Sequence, residues 1–386
     1  MKDSLAFHKR RERVKILTIV GTRPEAIKMV PVIRALRGLP RLELFSVTTG
    51  QHREMLDQVF VAFGEKPDHD LKVMKSNQSL AEITTSVLNG VAELYSTYRP
   101  NLVLVQGDTT TAMAAAIGAF YAGIPVGHVE AGLRSGNLKQ PWPEEFNRVL
   151  IDSVAELLFA PTTEARTNLL GEYNRKAKIH VTGNTGIDAL FIALEMLRSD
   201  SARNAQICDR YSYLNDQKRL ILVTGHRREN FGRGLKNVCD ALVEISLRRD
   251  VQVLYPVHLN PNVRLPVLKR LKSQKNIRLI QPVDFFDMVH LMQRAYLIIT
   301  DSGGIQEEAP ALGKPVLVTR NTTERPEAVL MGSVKLVGTD PSLIHREAVL
   351  LLEDDAVYRQ RARPVFPYGD GKAAGRIRRI ISSEFA

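Results

Sequence analysis

The chain has 386 residues, of which 44% are hydrophobic and 25% charged, a composition typical of an ordinary globular protein of about two domains. Its two cysteines lack metal-ligand spacing, which excludes a disulfide scaffold and favours a reducing, cytoplasmic location. The net charge is +11, and part of the excess lies in terminal runs without interleaved aromatic residues. These runs favour solvated tails over a nucleic-acid face, and a diffuse positive field suits an acidic small molecule.

Short β-branched runs alternate with helical patterns along the chain, which predicts parallel sheets built from βαβ units. The predicted strands form two series, 15–21, 42–50, 101–108, 124–131, 157–161 and 178–184, then 219–226, 251–258, 277–283, 296–304 and 314–320. A helical and then polar stretch, 187–217, separates the series. We therefore predict an α/β protein of two doubly wound parallel-sheet domains facing a cleft, with a boundary near residues 184–190.

Neither of the two apolar stretches of the chain has the length and composition of a membrane-spanning segment. "VKILTIV" (14–20) is ended by Gly21 after seven residues, and the small-residue run 111–127 is too short and alanine-rich. The second stretch instead predicts a buried helix followed by a strand. No membrane insertion is expected.

Ligands of open parallel sheets bind outside the carboxyl ends of the strands, so residues just after each strand are the candidates. These are Arg23, Gln51, His52, Asp108 and Glu130 in the first series, and His226, His258, residues 301–304, Arg320 and Arg325 in the second. Sheet stability requires no charged or imidazole groups at these positions. The set therefore predicts a functional site, although a capping or ion-pair role is an equal alternative for any single member.

The segment "TDSGGIQEEAP" (300–310) predicts a phosphate site. A strand enters the turn Ser302-Gly303-Gly304 and a helix begins directly afterwards, where backbone N–H groups and the helix dipole favour an anion. Glu307 and Glu308 follow in the first helical turn. Either can accept hydrogen bonds from ribose hydroxyls; the alternative is that both only complement the helix dipole.

Cofactor motifs are absent from the sequence. No G-x-G-x-x-G follows a strand, and the loop "GTRPEAIKM" carries Arg23 and Lys28, which favours cationic clamping of an anionic ligand over a nicotinamide cofactor. A nucleophile elbow, a P-loop and a paired Cys/His metal motif are also missing. No cofactor and no metal are expected.

Two glutamates leave alternatives open. Glu130 either pairs with Arg134, four residues later, or contacts a substrate. Glu144, at a helix start in "QPWPEEFNR" (140–148), either forms an i,i+4 pair with Arg148 or belongs to the site.

Together these segments resemble the non-hydrolysing UDP-N-acetylglucosamine 2-epimerases. The matching strings run in one order from about residue 15 to residue 372: "GTRPEAIKM", "TTGQHREMLDQVF", "GDTTTAMAAA", "HVEAGLRS", "PWPEEFNR", "VTGNTGIDAL", "VTGHRRENFGRG", "YPVHLNPNV", "TDSGGIQEEAP", "TTERPEA" and "PYGDG". The resemblance implies a GT-B-like fold of two Rossmann-type domains, 14–186 and 187–365, with a C-terminal helix within 366–386 returning to the first. It also implies a homodimer that reversibly converts UDP-N-acetylglucosamine to UDP-N-acetylmannosamine for polysaccharide or cell-envelope precursors.

The resemblance assigns roles residue by residue. It implies a catalytic group of Arg23, Lys28, Asp108, Glu130, Glu144 and His226; UDP contacts from Ser302, Gly303, Gly304, Glu308 and Arg325; and a possible allosteric UDP-N-acetylglucosamine site of Gln51, His52 and His258. In "QPVDFFDM" (281–288), Val283 and Met288 depart from the family pattern. We expect Phe285 or Phe286 to contact uracil in their place.

The implied chemistry suits these residue types. The C2 hydrogen of the sugar is not next to a carbonyl, so loss of UDP from C1 must first acidify it and allow elimination to a glycal. Inversion at C2 then needs proton transfer on two faces, which suits Asp108 and Glu130, with Glu144 as a third candidate. His226 and the arginines suit the departing diphosphate. The alternatives are a hydrolysing epimerase, a glycosyltransferase of the same fold and a non-catalytic nucleotide-sugar sensor.

Overall fold

A computed structural model describes residues 13–50, 53–73, 75, 78–172 and 177–385. The chain divides into two compact units, Met1–Thr185 with Lys372–Ala386 (unit 1) and Gly186–Gly371 (unit 2). The segment 366–371, which the sequence grouped with the returning C-terminal helix, belongs to unit 2. The ring of Phe366 lies 6.3 Å from that of Phe191, and Gly371 packs against the same Phe191 ring.

Unit 1 contains a seven-stranded, all-parallel sheet in the order β3-β2-β1-β4-β5-β6-β7. Its strands are β1 (Val14–Val20), β2 (Leu42–Thr48), β3 (His69–Asp70), β4 (Leu102–Gln106), β5 (Val126–Val129), β6 (Leu157–Ala160) and β7 (Lys178–Val181). The helices between them are α1 (Arg23–Leu36), α2 (Arg53–Ala62), α3 (Leu80–Tyr98), α4 (Thr110–Tyr121), α5 (Glu144–Val154) and α6 (Thr163–Leu170). The strand order reverses between β1 and β4, and ligands of such sheets bind at this switch point.

Helix α4 lies close against the sheet because its buried face is built from small residues. Ala112, Ala115 and Ala119 have no exposed surface and pack with Leu17 of β1 and Val103 of β4. This confirms the predicted buried helix in the run 111–127. The close approach fixes the start of α4, and with it the loop between β4 and α4.

Unit 2 contains a six-stranded parallel sheet in the order β10-β9-β8-β11-β12-β13. Its strands are β8 (Arg219–Thr224), β9 (Val251–Pro256), β10 (Ile277–Ile280), β11 (Leu297–Thr300), β12 (Val316–Val318) and β13 (Val334–Leu336). Its helices are α7 (Thr185–Ser199), which begins at the unit boundary, α8 (Ser201–Arg210), α9 (Arg233–Ser246), α10 (Pro261–Leu271), α11 (Phe285–Arg294), α12 (Gly303–Ala311), α13 (Pro326–Leu330), α14 (Pro341–Glu353) and α15 (Asp355–Arg361), with a 3₁₀ turn at Arg228–Asn230.

The last helix, α16 (Ala373–Phe385), packs on α1 in unit 1. Ile377 and Ile381, one helical turn apart, are completely buried there. Arg376 donates a hydrogen bond from Nη1 to the carbonyl of Thr182 at 3.0 Å. The chain thus leaves unit 1, builds unit 2 and returns.

The predicted fold class, two parallel-sheet α/β domains, is confirmed. Strands β3 and β13 were not predicted, because their two and three residues, "HD" and "VKL", include charged or polar side chains and form no apolar run. In the described part of the chain, no helix has the length and apolar character needed to cross a membrane.

Candidate active site

Three predicted site segments lie at the carboxyl edge of the unit 1 sheet. Arg23 begins α1 just after β1, Asp108 follows β4, and Glu130 follows β5. Strands β1, β4 and β5 are neighbours and parallel, so their ends share one edge of the sheet. The structure therefore brings these three segments together within one unit.

Glu130 is held in an unusual conformation by two partners. Its φ is +72°, in the left-handed region that costs a non-glycine residue about 1–3 kcal/mol. Lys28 forms an ion pair with its carboxylate, and Gln106 donates a hydrogen bond to the same oxygen at 3.0 Å. Arg134 instead pairs with Asp152 and Glu172, so the alternative of a Glu130–Arg134 ion pair is wrong. The substrate-contact alternative for Glu130 remains.

Two residues of helix α5 contact Asp108. Arg148 places Nη2 3.3 Å from the Asp108 carboxylate, while Asn147 donates from Nδ2 to the Asp108 carbonyl at 2.8 Å. The Asp108 side chain is 31% exposed, so the carboxylate keeps an open face. The β4–α4 loop is therefore positioned by residues about 40 positions later in the chain.

The two adjacent glutamates at the start of α5 have different environments. Arg148 pairs with Glu145, three residues earlier, at 3.3 Å, so the alternative of a Glu144–Arg148 ion pair is wrong. Buried Glu145 also accepts hydrogen bonds from the backbone N–H groups of Ser135 (2.8 Å) and Gly136 (3.1 Å). Glu144 is only partly buried, and the alternative that it belongs to the site remains.

Glu25, which is not among the site residues predicted from the sequence, joins two loops of this edge. Its carboxylate accepts hydrogen bonds from the backbone N–H groups of Gly21 (3.1 Å) and Thr22 (2.6 Å) and from the Thr109 hydroxyl (2.7 Å). Burial raises the pKa of Glu25 from 4.5 to about 7, although these hydrogen bonds act in the opposite direction. The only sequence signal was its place in a capping box after Thr22.

Replacing Glu25 by glutamine is expected to change how stability depends on pH. Between pH 4.5 and 7 the folded protein keeps a proton that the unfolded chain releases, so the free energy of unfolding falls by about 3 kcal/mol as pH rises. Glutamine is neutral and carries no such proton, so the variant lacks this pH-dependent loss of stability. Thermal midpoints measured from pH 5 to 8 should therefore rise for Glu25→Gln relative to wild type with increasing pH, and parallel curves would contradict the assignment.

Two histidines at the carboxyl edge of the unit 2 sheet lie against each other. The rings of His226, after β8, and His258, after β9, stack with centroids 5.3 Å apart and an interplanar angle of 19°. The family resemblance implied different sites for them, catalytic for His226 and allosteric for His258. The structure places them in one cluster.

Asp301 fixes the loop that carries His226. Its buried carboxylate accepts hydrogen bonds from the N–H groups of His226 (3.0 Å) and Arg227 (2.9 Å) and from Asn230 Nδ2 (3.2 Å). The Nδ1 atom of His226 lies 3.7 Å from the same carboxylate. Its place before the Ser-Gly-Gly turn marked Asp301 as a candidate, but only the structure shows that it supports His226.

The Ser-Gly-Gly turn is shaped by Arg325. Its guanidinium lies directly over Gly303 and donates from Nε to Glu307 at 2.6 Å. Glu307 is 4% exposed, so it acts as the partner of Arg325. Glu308 is more exposed and lies over Gly304, which favours Glu308 as the carboxylate that faces a ligand.

Gly303→Ala is expected to destabilise the protein, whereas Gly304→Ala is a matched control. A Cβ at Gly303 would lie 2.7 Å from the Arg325 guanidinium, but at Gly304 it would meet only Glu308 Oε1 at 3.8 Å. Displaced Arg325 would leave the buried Glu307 carboxylate without this donor, at a cost of about 1–3 kcal/mol. Thermal unfolding without ligand should show a lower midpoint for the first variant only, and equal midpoints would refute this packing.

The two phenylalanines proposed for uracil recognition differ in exposure. Phe286 is 4% exposed and lies beneath Arg203, whose Cζ is 4.9 Å from the ring centroid. Phe285 begins α11, is only partly buried, and meets Phe286 edge to face at 6.2 Å. Phe285 is thus the more exposed of the two residues.

The remaining predicted residues are placed as follows. Gln51 and His52 lie outside the described residues. Arg23 is partly buried and forms no ion pair with the described part of the chain. Among the described residues, no group of three or more His, Cys, Asp or Glu side chains is arranged to hold a metal ion.

Comparison with known proteins identifies the family. A family model described as UDP-N-acetylglucosamine 2-epimerase matches residues 34–382. The UDP-N-acetylglucosamine 2-epimerase of Salmonella typhimurium is 51% identical over 371 residues, which cover 96% of this chain and 99% of that protein. The corresponding Escherichia coli K12 protein is 51% identical over 365 residues, covering 94% and 97%. A crystal structure of the Neisseria meningitidis UDP-GlcNAc 2-epimerase bound to UDP-GlcNAc is 46% identical, with a TM-score of 0.90, and covers 96% of this chain and 100% of that one.

Two parallel α/β units of seven and six strands, together with this structural neighbour, place the chain in the GT-B-like class. Within that class, the chain belongs to the UDP-N-acetylglucosamine 2-epimerase family. The fold and family inferred from the sequence are both confirmed.

Proposed function

We propose that this protein interconverts UDP-N-acetylglucosamine and UDP-N-acetylmannosamine by inverting C2, without hydrolysing the nucleotide sugar. The observation that carries the proposal is the pair of carboxylates, Asp108 and Glu130, that follow the neighbouring strands β4 and β5. Membership of the epimerase family supports the substrate, because relatives of 51% identity carry that activity in their names.

The proposed reaction removes UDP and a proton and then returns both. The C1–O bond to UDP breaks, the C2 proton leaves to a carboxylate, and a glycal remains; re-addition delivers a proton to the opposite face of C2 while UDP re-forms its bond to C1. Asp108, Glu130 and Glu144 of unit 1 are the proton-transfer groups. Arg23, Lys28 and His226 stabilise the negative charge that develops on the departing diphosphate.

Unit 2 is proposed as the UDP-binding domain. The N–H groups at the start of α12 and the Arg325 guanidinium suit the diphosphate. Glu308 suits the ribose hydroxyls, and the partly exposed ring of Phe285 suits the uracil. The full proposed set of UDP contacts is Ser302, Gly303, Gly304, Glu308, Arg325 and Phe285.

A second, activating UDP-N-acetylglucosamine site is proposed around Gln51, His52 and His258. The stacking of His258 on His226 supports a link between such a site and the reaction. His258→Ala should flatten any sigmoidal dependence of rate on UDP-N-acetylglucosamine concentration. A sigmoidal curve unchanged from wild type would remove His258 from this role.

We further propose a homodimer that works in the cytoplasm on precursors of cell-envelope polysaccharides. Phe120 and Tyr121 at the end of α4 are 58% and 79% exposed, which suits an apolar interface. Cys208 and Cys239 are both free, which suits a reducing compartment. Light scattering of the purified protein tests the dimer, and the mass of a monomer would refute it. Cell fractionation tests the location, and recovery of the protein in the membrane fraction would refute a cytoplasmic one.

The activity is tested by incubating the protein with UDP-N-acetylglucosamine in heavy water. The expected result is deuterium at C2 of both epimers, with UDP still attached at equilibrium. Free N-acetylmannosamine plus UDP would indicate a hydrolysing epimerase. Binding without any C2 exchange would indicate a nucleotide-sugar sensor or, if an added acceptor becomes glycosylated, a transferase.

A further inference from the structure

His128 is completely buried in the middle of the unit 1 sheet, yet both of its ring nitrogens have polar partners. Nδ1 lies 2.6 Å from the carboxylate of Asp152, and Nε2 lies 2.8 Å from the carbonyl oxygen of Gly107. Both partners are acceptors only. A neutral imidazole carries one N–H and can donate to only one of these partners, whereas the imidazolium carries two and can donate to both.

The charged groups around His128 would stabilise a buried cation at this position. Asp152, the charged side chain in contact with it, is 2% exposed and also pairs with Arg134 at 2.7 Å. Burial would raise the pKa of Asp152, but the neighbouring His128 and Arg134 outweigh it and hold that pKa below its ordinary value. Arg134 in turn forms hydrogen bonds with Glu172 on the surface side, so the cluster is an alternating chain of charges.

This cluster reaches both loops that carry the proposed proton-transfer carboxylates. Gly107, which accepts from His128, immediately precedes Asp108. Gly132, two residues after Glu130, donates its N–H to Asp152 at 3.1 Å. Asp152 itself lies on α5, the helix that begins at Glu144.

One of the two loops adopts a conformation that needs restraint. Glu130 has a φ of +72°, which is strained for a non-glycine residue, whereas Gly107 adopts its φ of +69° without strain because glycine has no Cβ. Without the His128 bond the Gly107 carbonyl would lose its buried donor. A shift of about 1 Å in a catalytic group is enough to reduce a rate about 100-fold.

We propose that His128, as an imidazolium bridging Asp152 and the Gly107 carbonyl, is a positioning residue that sets the Asp108 and Glu130 carboxylates for proton transfer. The inference rests on the proposed epimerase function. His128 touches no substrate; it acts through the backbone of the two loops.

The charge on His128 is measured by nitrogen-15 NMR of protein labelled at its nine histidines. The His128 signals, identified by their loss in His128→Asn or their shift in Asp152→Asn, should show two protonated ring nitrogens at pH 7. One unprotonated nitrogen would overturn the proposal. If His128→Asn does not fold, the Asp152→Asn spectrum supplies the identification.

The positioning role is measured by kinetics with His128→Asn, Asp152→Asn and the double variant. Each single variant should lower kcat about 10- to 100-fold and leave KM within about 3-fold, because substrate contacts are untouched. The double variant should be no worse than the poorer single variant, since both break one network. Additive losses, or a change confined to KM, would refute the role.

Tyr95→Phe provides the matched control. It removes another buried side-chain hydrogen bond to a backbone carbonyl in unit 1, from Tyr95 to Ala115 at 3.0 Å, and this carbonyl belongs to neither loop. Its kcat should equal that of wild type even if its thermal midpoint falls; an equal loss of kcat would show that stability alone explains the His128 result. Inactive wild-type protein would refute the proposed function, whereas active wild type with fully active His128 and Asp152 variants would refute only this inference.

Discussion

Glu130→Gln is expected to reduce turnover at least ~100-fold while UDP binding is retained, as for the loss of a general acid or base. Glutamine has the same shape, and its carbonyl oxygen can still accept hydrogen bonds from Lys28 and Gln106. What it cannot do is take up or return a proton. The measurement is the initial rate of UDP-N-acetylmannosamine formation, with UDP affinity determined by calorimetry on the same sample.

The control for this variant is Glu65→Gln. Glu65 is another glutamate of unit 1 whose side chain is largely buried, at 14% exposure against 9% for Glu130, and it also pairs with a cation, Arg37, at 3.2 Å. Neutralising Glu65 should leave turnover unchanged. A Glu130→Gln rate within a few-fold of wild type would remove Glu130 from the proton transfer.

Asp108→Asn is the second change expected to reduce turnover at least ~100-fold. The amide oxygen can still face Arg148, and the hydrogen bond from Asn147 goes to the backbone carbonyl, so the loop should hold its place. The loss should therefore appear in kcat, with no more than a small change in the thermal midpoint. Exchange of deuterium into C2 should slow in parallel.

Asp68→Asn is a closely matched control for the second prediction. Asp68 is exposed to almost the same extent as Asp108, 30% against 31%, and lies 3.5 Å from an arginine, Arg37, in the same unit. Its replacement should leave the rate of C2 exchange unchanged. If Asp108→Asn turned over as fast as Asp68→Asn, Asp108 would have no part in the chemistry.

Much of the fold could be predicted because the strands and helices of a parallel α/β sheet alternate along the chain. The alternation of strands and helices, the restart after residue 217 and the Ser-Gly-Gly turn are all local patterns. Asp108 and Glu130 could be selected because each directly follows a strand, and parallel strands end at one edge. None of these steps requires knowledge of side-chain positions.

The partners of these residues could not be predicted in the same way. Lys28 and Glu130 are separated by 102 residues, and the nearby Arg134, the apparent partner at i+4, pairs elsewhere. Glu145 rather than Glu144 holds Arg148, a choice that depends on how α5 faces the loop at Ser135 and Gly136. Helical spacing permits both pairings and cannot decide between them.

The sequence by itself thus determined the class of fold, the family and the positions where functional groups end strands. Only the tertiary structure decided which charges neutralise each other, that His226 and His258 stack, and that buried His128 and Glu25 support the loops. The physical reason is that strand order follows from local patterns, whereas the protonation and pairing of a buried group depend on atoms brought within about 3 Å from distant parts of the chain.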